Sequence, residues 1–325
     1  MKNYFGFTLT GKTLLPIWML YLLLFLAPYL ILTVSMKSMQ QSSNMSLLFF
    51  PLILVLIFIS FIITFYIVKL AIGNISFKEK TIVFNGKFSE YISVILFGLF
   101  ISVITLGIYV AWFVRDLHAF FIDNSSFDSE KLKFRGKGGK LFVILLLTLM
   151  LPVFILSVTM AVFIIKNGSP YKYGMIIQQM LIMILMIPYL YFIYKWMVNI
   201  RYKNFTISWH TDLWSSIGKI ALEMLFTLIT LGIYMPLAML RLYKYFTDRT
   251  IAVSDERKLN FGYDIDQLND FLFIWGQTLL SILTLGIYYP WAFCKIGSRI
   301  LGKTYVAEVL SIKLILNNGE VVELP

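Results

Sequence analysis

The sequence predicts a mainly α-helical, polytopic membrane protein with an internal duplication and small cytoplasmic β hairpins. Three observations predict this fold class: an apolar composition, apolar runs long enough to cross a bilayer, and a repeated sequence pattern. Hydrophobic residues make up 59% of the 325 residues and charged residues only 14%. A soluble domain needs about a quarter of its residues charged to cover its surface, so most of this chain is expected to lie in lipid.

Seven apolar runs are the candidate membrane helices, since about 20 apolar residues of helix cross the hydrocarbon core. Four of them are plain, namely Leu14–Val34, Leu47–Leu70, Leu141–Ile165 and Met175–Val198. The other three each contain the word TLGIY, and they are Tyr91–Val114, Gly218–Leu240 and Phe271–Phe293. The runs predict a multi-pass arrangement of transmembrane helices.

Short polar segments between the runs have the composition of strands. Ile75–Phe77 and Thr81–Phe84 flank a charged turn. In the tail, Val309–Leu316 and Val321–Leu324 flank Asn317–Gly319, which predicts a hairpin with an Asn-Gly turn. We therefore expect small β hairpins outside the bilayer.

The chain repeats itself at a shift of 125 residues. This shift places Asn74-Ile75 on Asn199-Ile200 and Thr105–Tyr109 on Thr230–Tyr234, with no gap over fifty residues. Such a match indicates a duplication. We predict a first repeat in residues 1–125 and a second in 126–250, each with two plain helices and a TLGIY helix. A third TLGIY helix in 251–300 and a β-hairpin tail in 301–325 follow.

Aligning the three TLGIY words on their threonines reveals a stripe of small or polar residues. The threonine and the residues three and seven positions before it lie on one face of a helix. In the three copies these residues are Gly98, Ser102, Thr105, Glu223, Thr227, Thr230, Gln277, Ser281 and Thr284.

Two interpretations of this stripe remain open. Small and hydroxyl side chains allow helices to pack closely in lipid, and Ser or Thr bonds across helices or back to its own turn. Alternatively, the three stripes line a polar cavity or substrate path. Glu223 favours the second interpretation, because a carboxylate in a membrane helix costs about 2.5 kcal/mol or more and tends to be functional. Lys219 lies four residues earlier, so a local ion pair explains Glu223 equally well.

The TLGIY word itself predicts a helix end at the membrane surface rather than a ligand-binding loop. Thr bonds back to a carbonyl, Gly weakens the helix, and a Pro two residues after the Tyr removes a backbone donor. Aromatic rings and a basic residue follow, as at an interfacial helix end. The residues of this helix-end motif are Gly107, Tyr109, Trp112, Gly232, Tyr234, Pro236, Gly286, Tyr288, Pro290 and Trp291.

Charge distribution favours one of two topologies. If all seven runs cross, Lys and Arg divide 13 against 15 between the two sides, without a positive-inside bias. If only the four plain runs cross, as two hairpins, Lys37, Lys166 and Lys172 lie outside and the other 25 basic residues inside. We favour the second topology, with three TLGIY segments that enter and return or lie deep in the inner leaflet. The alternative is a seven-span bundle with inverted repeats; labelling cysteines introduced at Ser125 and Ser254 separates the two.

The basic charge of the chain points to lipid partners. The net charge is +11 and basic residues flank the membrane runs, as in Lys131–Lys140. Such residues face anionic lipid headgroups. We expect membrane lipids as partners and no nucleic acid, because no nucleic-acid-binding motif accompanies the charge.

Candidate motifs for catalysis or metal binding mostly fail when their context is considered. Residues 6–13, GFTLTGKT, match a phosphate-binding loop, but that loop needs a buried strand before it and a soluble helix after it. Cys294 is the only cysteine, and His118 and His210 are 92 residues apart. We predict no cofactor and no metal site. The functional alternatives are a transporter or channel-like protein, and a non-transporting protein that organises lipids or partner proteins. An enzyme acting on lipid is the weakest alternative, for want of a nucleophile–base pair.

The segments SVITLGIYVAWFVR, TLITLGIYMPLAMLR and SILTLGIYYPWAFCK resemble the YjgN-like family of bacterial membrane proteins, over about residues 74 to 300. The family is recognised by TLGIYxPW words that follow membrane helices. This chain departs from the word at Ala111, where Pro is usual, and at Leu237, where Trp is usual. The resemblance implies a multi-pass protein of the bacterial cytoplasmic (inner) membrane and implies no biochemical activity.

Overall fold

The computed structural model describes residues 1–38, 46–167, 174–255, 257–309, 312–315 and 321–324. The helices are α1 Gly11–Tyr21, α2 Ala27–Ser38, α3 Ser46–Gly73, α4 Phe88–Ile104, α5 Val110–Asp123, α6 Gly138–Leu145, α7 Leu151–Asn167, α8 Gly174–Met197, α9 Leu213–Ile229, α10 Met235–Thr247, α11 Gln267–Leu283 and α12 Tyr289–Gly302. Two π-helical turns, Leu22–Leu26 and Leu146–Met150, join α1 to α2 and α6 to α7.

The strands are β1 Lys2–Phe7, β2 Ile75–Phe77, β3 Lys80–Thr81, β4 Val83–Phe84, β5 Ser125–Phe127, β6 Glu130–Phe134, β7 Ile200–Tyr202, β8 Phe205–Trp209, β9 Thr250–Val253, β10 Lys258–Tyr263, β11 Thr304–Val309, β12 Ile312–Ile315 and β13 Val321–Leu324. The first eleven form one antiparallel sheet in the order β3-β2-β1-β11-β10-β9-β8-β7-β6-β5-β4.

This sheet is barrel-like and nearly closed. Its two edge strands, β3 and β4, are separated in the chain by Ile82 alone. The N–H of Ile82 donates to the carbonyl of Ile75 on β2 at 2.9 Å, and Val83 pairs with Ser126 on β5. The extended segment 80–84 therefore meets both ends of the sheet.

The predicted fold class, a polytopic helical protein with small β hairpins, is wrong in its β part, because the short strands are neighbours in an eleven-stranded sheet. β1 pairs with β11, which aligns Lys2 with Ala307. Each local hairpin has an unpaired edge, and a row of free N–H and C=O groups pairs with the next edge brought beside it. In the tail, β12 and β13 do pair, but their turn at 317–319 lies outside the described residues.

Within the described ranges, five helical pairs connect neighbouring strands of the sheet. Pair 1 (α1/α2 with α3) joins β1 to β2, and pair 2 (α4/α5) joins β4 to β5; pair 3 (α6/α7 with α8) joins β6 to β7. Pair 4 (α9/α10) joins β8 to β9, and pair 5 (α11/α12) joins β10 to β11. Because the joined strands are antiparallel neighbours, each pair leaves and re-enters the sheet at the same end. Successive pairs pack against each other, and α1 packs against α12, so the pairs form a ring.

The pairs differ in length. In the part of the chain that the structure describes, four helical segments are long and apolar enough to cross a membrane, namely Gly11–Ser35, Pro51–Gly73, Gly138–Lys166 and Met180–Met197. They belong to pairs 1 and 3, and they correspond to the four plain runs. In the short pairs 2, 4 and 5, the first helix has 17 residues and is therefore about 25 Å long. Each TLGIY run is two helices rather than one, so a seven-helix bundle does not match the fold.

The core lies where the helical pairs meet the sheet. Phe134 of β6 packs against Trp196 of α8, with ring centroids 5.0 Å apart, and His118 of α5 lies against both rings. Around the sheet, Phe77 contacts Phe127 at 5.9 Å between ring centroids. Aromatic packing thus fixes the helical pairs to the strands. The domain boundaries proposed at residues 125, 250 and 300 stay predictions.

Candidate functional site

The TLGIY words form the tips of the three short helical pairs. α4, α9 and α11 end at Ile104, Ile229 and Leu283. The residue after each Thr adopts the left-handed region, since Leu106, Leu231 and Leu285 all have φ of 50°. The glycines that follow, Gly107, Gly232 and Gly286, have φ of 89°, 88° and 85°. Two successive residues of positive φ reverse the chain, and the second is a position that favours glycine.

The tip satisfies its own backbone donors. In the second copy, the N–H of Leu231 donates to Leu228 O at 3.0 Å, and that of Gly232 to Thr227 O at 2.8 Å. Oγ1 of Thr230 donates to Phe226 O at 2.8 Å and accepts the N–H of Tyr234 at 3.0 Å. The same bonds recur around Thr105 and Thr284. Irregular backbone survives in lipid only if its polar groups are bonded internally, and this turn meets that condition.

The outermost side chains of the tips are apolar. Leu106, Leu231 and Leu285 are 94%, 93% and 88% exposed. A left-handed, β-carbon-bearing residue is strained by about 1 kcal/mol or more, and a fully exposed Leu gains nothing in water. Leu at this position is therefore explained by apolar surroundings rather than by the turn geometry alone.

Within pair 4, the polar stripe forms a closed network between α9 and α10. The Glu223 side chain is fully buried. Its Oε1 accepts from Nζ of Lys219 at 2.6 Å, and its Oε2 accepts from the hydroxyl of Tyr234 at 2.7 Å. Arg241 in turn donates to the Tyr234 hydroxyl at 2.8 Å and to Oε1 of Gln267 at 2.7 Å. The buried carboxylate is thus neutralised inside its own helical pair.

Pair 5 has the same network without the buried charge. The hydroxyl of Tyr288 donates to Oε1 of Gln277 at 2.9 Å, and Nζ of Lys295 donates to that hydroxyl at 2.9 Å. In pair 2 the equivalent of Glu223 is Gly98, where a Cβ would lie 2.0 Å from the ring of Phe113. Gly98 thus leaves room for the Phe113 ring of α5, and this position of pair 2 carries no side-chain network like those of pairs 4 and 5.

The hydroxyls of the stripe bond mostly within their own helices. Each of the following donates to the carbonyl four residues earlier: Thr105, Thr227, Thr230, Ser281 and Thr284. The Oγ of Ser102 has no hydrogen-bond partner among the described residues. The stripe therefore consists of separate contacts inside pairs 2, 4 and 5.

The prolines of the helix-end motif begin helices, and its tryptophans contact the neighbouring pairs. Pro236 and Pro290 occupy the first turn of α10 and α12, where a missing N–H costs nothing. The rings of Trp112 and Trp291 pack on Gly138 and Gly11, at the start of the neighbouring pairs, where a Cβ would lie 2.5 Å from each ring.

Two tryptophans also link the tips of pairs 4 and 5 to the helices of the next pair in the ring. Nε1 of Trp275 donates to Ile233 O at 2.8 Å, and Nε1 of Trp18 donates to Gly286 O at 2.8 Å. The tip carbonyls of pairs 4 and 5 therefore have donors from pairs 5 and 1. Carbonyls that the reversed chain frees are satisfied between pairs, which matters in a medium without water.

Asp270, at the start of α11, belongs to none of the motifs predicted from the sequence, yet it is only 1% exposed. Its Oδ1 accepts from Nε of Arg299 and from Nζ of Lys303, both at 2.6 Å. Burial raises the pKa of this carboxyl, but the bonds from Lys303 and Arg299 outweigh burial and the pKa is lowered. The sequence does hold a pattern that points to Asp270. If the stripe is extended by seven more residues, to fourteen before the Thr, the three copies give Tyr91, Ser216 and Asp270, which are all buried.

Four apolar helices of membrane-spanning length, and apolar tips on three short helical pairs, are features of a membrane protein. The model of a family described as bacterial protein of unknown function (DUF898) matches residues 79–252. The chain belongs to this family, which includes the YjgN-like proteins that its TLGIY words resemble, so the resemblance is confirmed. No curated protein and no solved structure matches the chain.

Proposed function

We propose that the chain is a non-transporting integral protein of the bacterial cytoplasmic membrane that organises the lipids of one leaflet. Pairs 1 and 3 cross the bilayer as two hairpins, and pairs 2, 4 and 5 enter from the side of the sheet and return. The sheet lies in the cytoplasm, because that placement puts 25 of the 28 Lys and Arg residues inside.

The observation that carries this proposal is the construction of the tips. Each tip exposes a Leu, satisfies its backbone donors internally and ends a first helix of 17 residues. At about 25 Å, with a polar first turn, such a helix is too short to cross a core of about 30 Å together with its headgroup layers. The three short pairs enter the bilayer from one side. They therefore displace more lipid from that leaflet than from the opposite one.

The bonding of the stripe supports a non-transporting function over a solute path. A path needs polar groups that are free to face the solute, as in transporters with half-helices at the bilayer midplane. Here the Glu223 carboxylate is bonded to Lys219 and Tyr234, and Gln277 accepts from Tyr288. The polar side chains at the buried acceptor positions of pairs 4 and 5 are thus occupied within their own pairs.

A depth measurement tests the insertion of the tips. In a Cys294→Ser background, single cysteines at Leu231 and, as a control, at Lys133 on β6 receive an environment-sensitive fluorophore after reconstitution into vesicles. We expect deep-chain spin-labelled lipid to quench the label at 231 and aqueous iodide to quench the label at 133. Quenching of both labels by iodide would place the tip in water and exclude the proposal.

A second measurement tests the effect on lipids. The purified chain is reconstituted at increasing density, and acyl-chain order and leakage of a small trapped anion are recorded together. We expect a change in acyl-chain order that grows with density, without leakage. The triple variant Leu106→Asn, Leu231→Asn, Leu285→Asn keeps the left-handed turns, since Asn accepts that conformation, and should lose most of the effect on order. Anion flux through the wild-type chain, abolished by Glu223→Gln, would instead support transport.

A further inference from the structure

A basic cavity of about 300 Å³ lies between pair 4 and the start of pair 5. Its lining includes four cations, namely Lys219, Arg241, Lys244 and Arg249, together with Asp248 and Gln267. Lys219 and Arg241 meet the buried Glu223, and Lys244 pairs with Asp248 at 2.8 Å. Four cations against two carboxylates leave the cavity with two positive charges that its own carboxylates do not balance.

The cations are held in place by neutral groups as well. The guanidinium carbon of Arg249 lies 3.7 Å from the centre of the Tyr245 ring. Nζ of Lys244 donates to the carbonyl of Tyr263 at 3.0 Å, and Arg241 donates to Gln267. A preorganised set of donors loses little side-chain entropy when an anion binds.

A cavity at the equivalent place in pair 2 has no excess of cations, because Arg115 pairs with Asp116 at 2.7 Å and Asp123 adds a negative charge. It is lined by Val94, Asp116, Ala119, Phe120, Asp123 and Asn124, among others. Adding 125 to these numbers gives Lys219, Arg241, Lys244, Tyr245, Asp248 and Arg249. The helical scaffold alone therefore does not require cations at these positions, because the pair 2 cavity exists without them.

The position of the cavity selects the kind of anion. Lys219 lies six residues from the sheet end of α9, which is about 9 Å along the helix, whereas the tip lies about 25 Å from that same end. Under the proposed insertion this depth is that of the lipid headgroups. Basic pockets between membrane helices at this level bind phosphate-bearing headgroups.

We propose that the cavity between pairs 4 and 5 binds the phosphate group of an anionic phospholipid. Arg249 and Lys244 contact the phosphate oxygens, and Arg241 and Lys219 supply positive potential from the rear wall. This inference rests on the proposed insertion of the short pairs, and it adds one defined headgroup site to that function. The apolar faces of α10 and α11 then lie beside the acyl chains.

Native mass spectrometry of the full chain released from detergent tests the site. Phosphatidylglycerol, phosphatidylcholine and inorganic phosphate are added in turn. We expect one tightly bound phosphatidylglycerol per chain, weaker phosphatidylcholine and no retained inorganic phosphate. Lys244→Gln with Arg249→Gln should weaken phosphatidylglycerol binding about tenfold or more, since two charge-assisted contacts are lost. Lys87→Gln with Lys140→Gln removes two exposed cations at the bases of pairs 2 and 3 and should have little effect.

A variant that is expected to strengthen lipid binding controls for the possibility that the double variant binds less lipid because it is misfolded. Asp248→Asn removes a negative charge from the cavity wall and retains an oxygen for the N–H of Tyr263, now accepted at 3.1 Å. It should bind phosphatidylglycerol more tightly. Equal binding of the two lipids, or equal loss in both double variants, would overturn the site. Retention of inorganic phosphate in place of lipid would overturn the lipid assignment. The depth measurement at residue 231 is independent of these variants, so failure of the site and failure of insertion are distinguishable.

Discussion

The hydroxyl of Tyr234 donates to the buried carboxylate of Glu223 at 2.7 Å, and Tyr288 donates in the same way to Gln277 at 2.9 Å. In pairs 4 and 5 the position holds an acceptor for the tyrosine, and it is charged only in pair 4, where Lys219 stands one turn earlier. In pair 5 the residue in the place of Lys219 is Phe273.

Replacing Glu223 should therefore cost stability in two separable steps. Glu223→Gln keeps the acceptor but leaves Lys219 without its carboxylate, at about 1–3 kcal/mol. Glu223→Leu also removes the acceptor of the Tyr234 hydroxyl and should lower the stability further. The double variant Lys219→Phe with Glu223→Gln copies pair 5 and should recover part of the loss. Thermal unfolding in detergent measures all three; a double variant less stable than Glu223→Gln would contradict this account.

Stability should depend on the side-chain oxygen of the tip threonine rather than on the shape of its side chain. Thr230→Val removes the acceptor for the N–H of Tyr234, which then has no partner in an apolar medium, at about 1–3 kcal/mol. Thr230→Ser keeps the oxygen and should be close to wild type. Chemical unfolding of both variants in the same micelles gives the comparison. Equal stability of the Val and Ser variants would mean that water reaches the tip.

The change in stability caused by Leu231→Asn should show whether the tip lies in water or in lipid, because the two surroundings predict changes of opposite sign. Asn tolerates φ of 50° better than Leu, so in water the variant would gain stability. In lipid, an unpaired amide costs about 1–3 kcal/mol and the variant should be less stable. Lys203→Asn is the matched control, because Lys203 has φ of 51° in the β7–β8 turn outside the helices. We expect unfolding experiments to show opposite signs for the two variants.

Asp270 should make the chain sensitive to acid. Its pKa is lowered, so its contribution to stability is complete above the ordinary Asp pKa of about 3.9 and is lost as the pH falls below it. Asp270→Asn should cost about 3–5 kcal/mol at neutral pH, because Arg299 and Lys303 lose their buried partner. The variant should also show a flatter decline of stability below pH 4. Asp128→Asn, at an exposed ion pair with Lys80, should change neutral-pH stability little.

Much of the helical part of the fold could be predicted from the sequence, because it follows from local composition. The runs Leu14–Val34 and Leu141–Ile165 lie inside observed spans, and the TLGIY word marks a true helix end. What the word does not reveal is the direction of the chain after the helix ends. Reversal depends on positive φ at Leu106 as well as at Gly107, and leucine gives no sign of that conformation.

The sheet could not be predicted from the same information. Its local turns are visible at Lys78 and Glu79, but the pairing of β1 with β11 joins residues about 300 positions apart. Strands of two to six residues carry too little pattern to specify such partners. The network around Glu223 could be predicted only in part. The spacing of four residues predicted the ion pair with Lys219, whereas the contact with Tyr234 depends on the reversal of the chain after α9.

The place of β1 in the sheet has a consequence for biogenesis. Lys2–Phe7 pairs with Thr304–Val309, about 300 positions later in the chain, and all the helical pairs lie between these two strands. During synthesis β1 therefore lacks this neighbour until the helical pairs have been made. Closure of the sheet by β1 and β11 is expected to be a late step of folding.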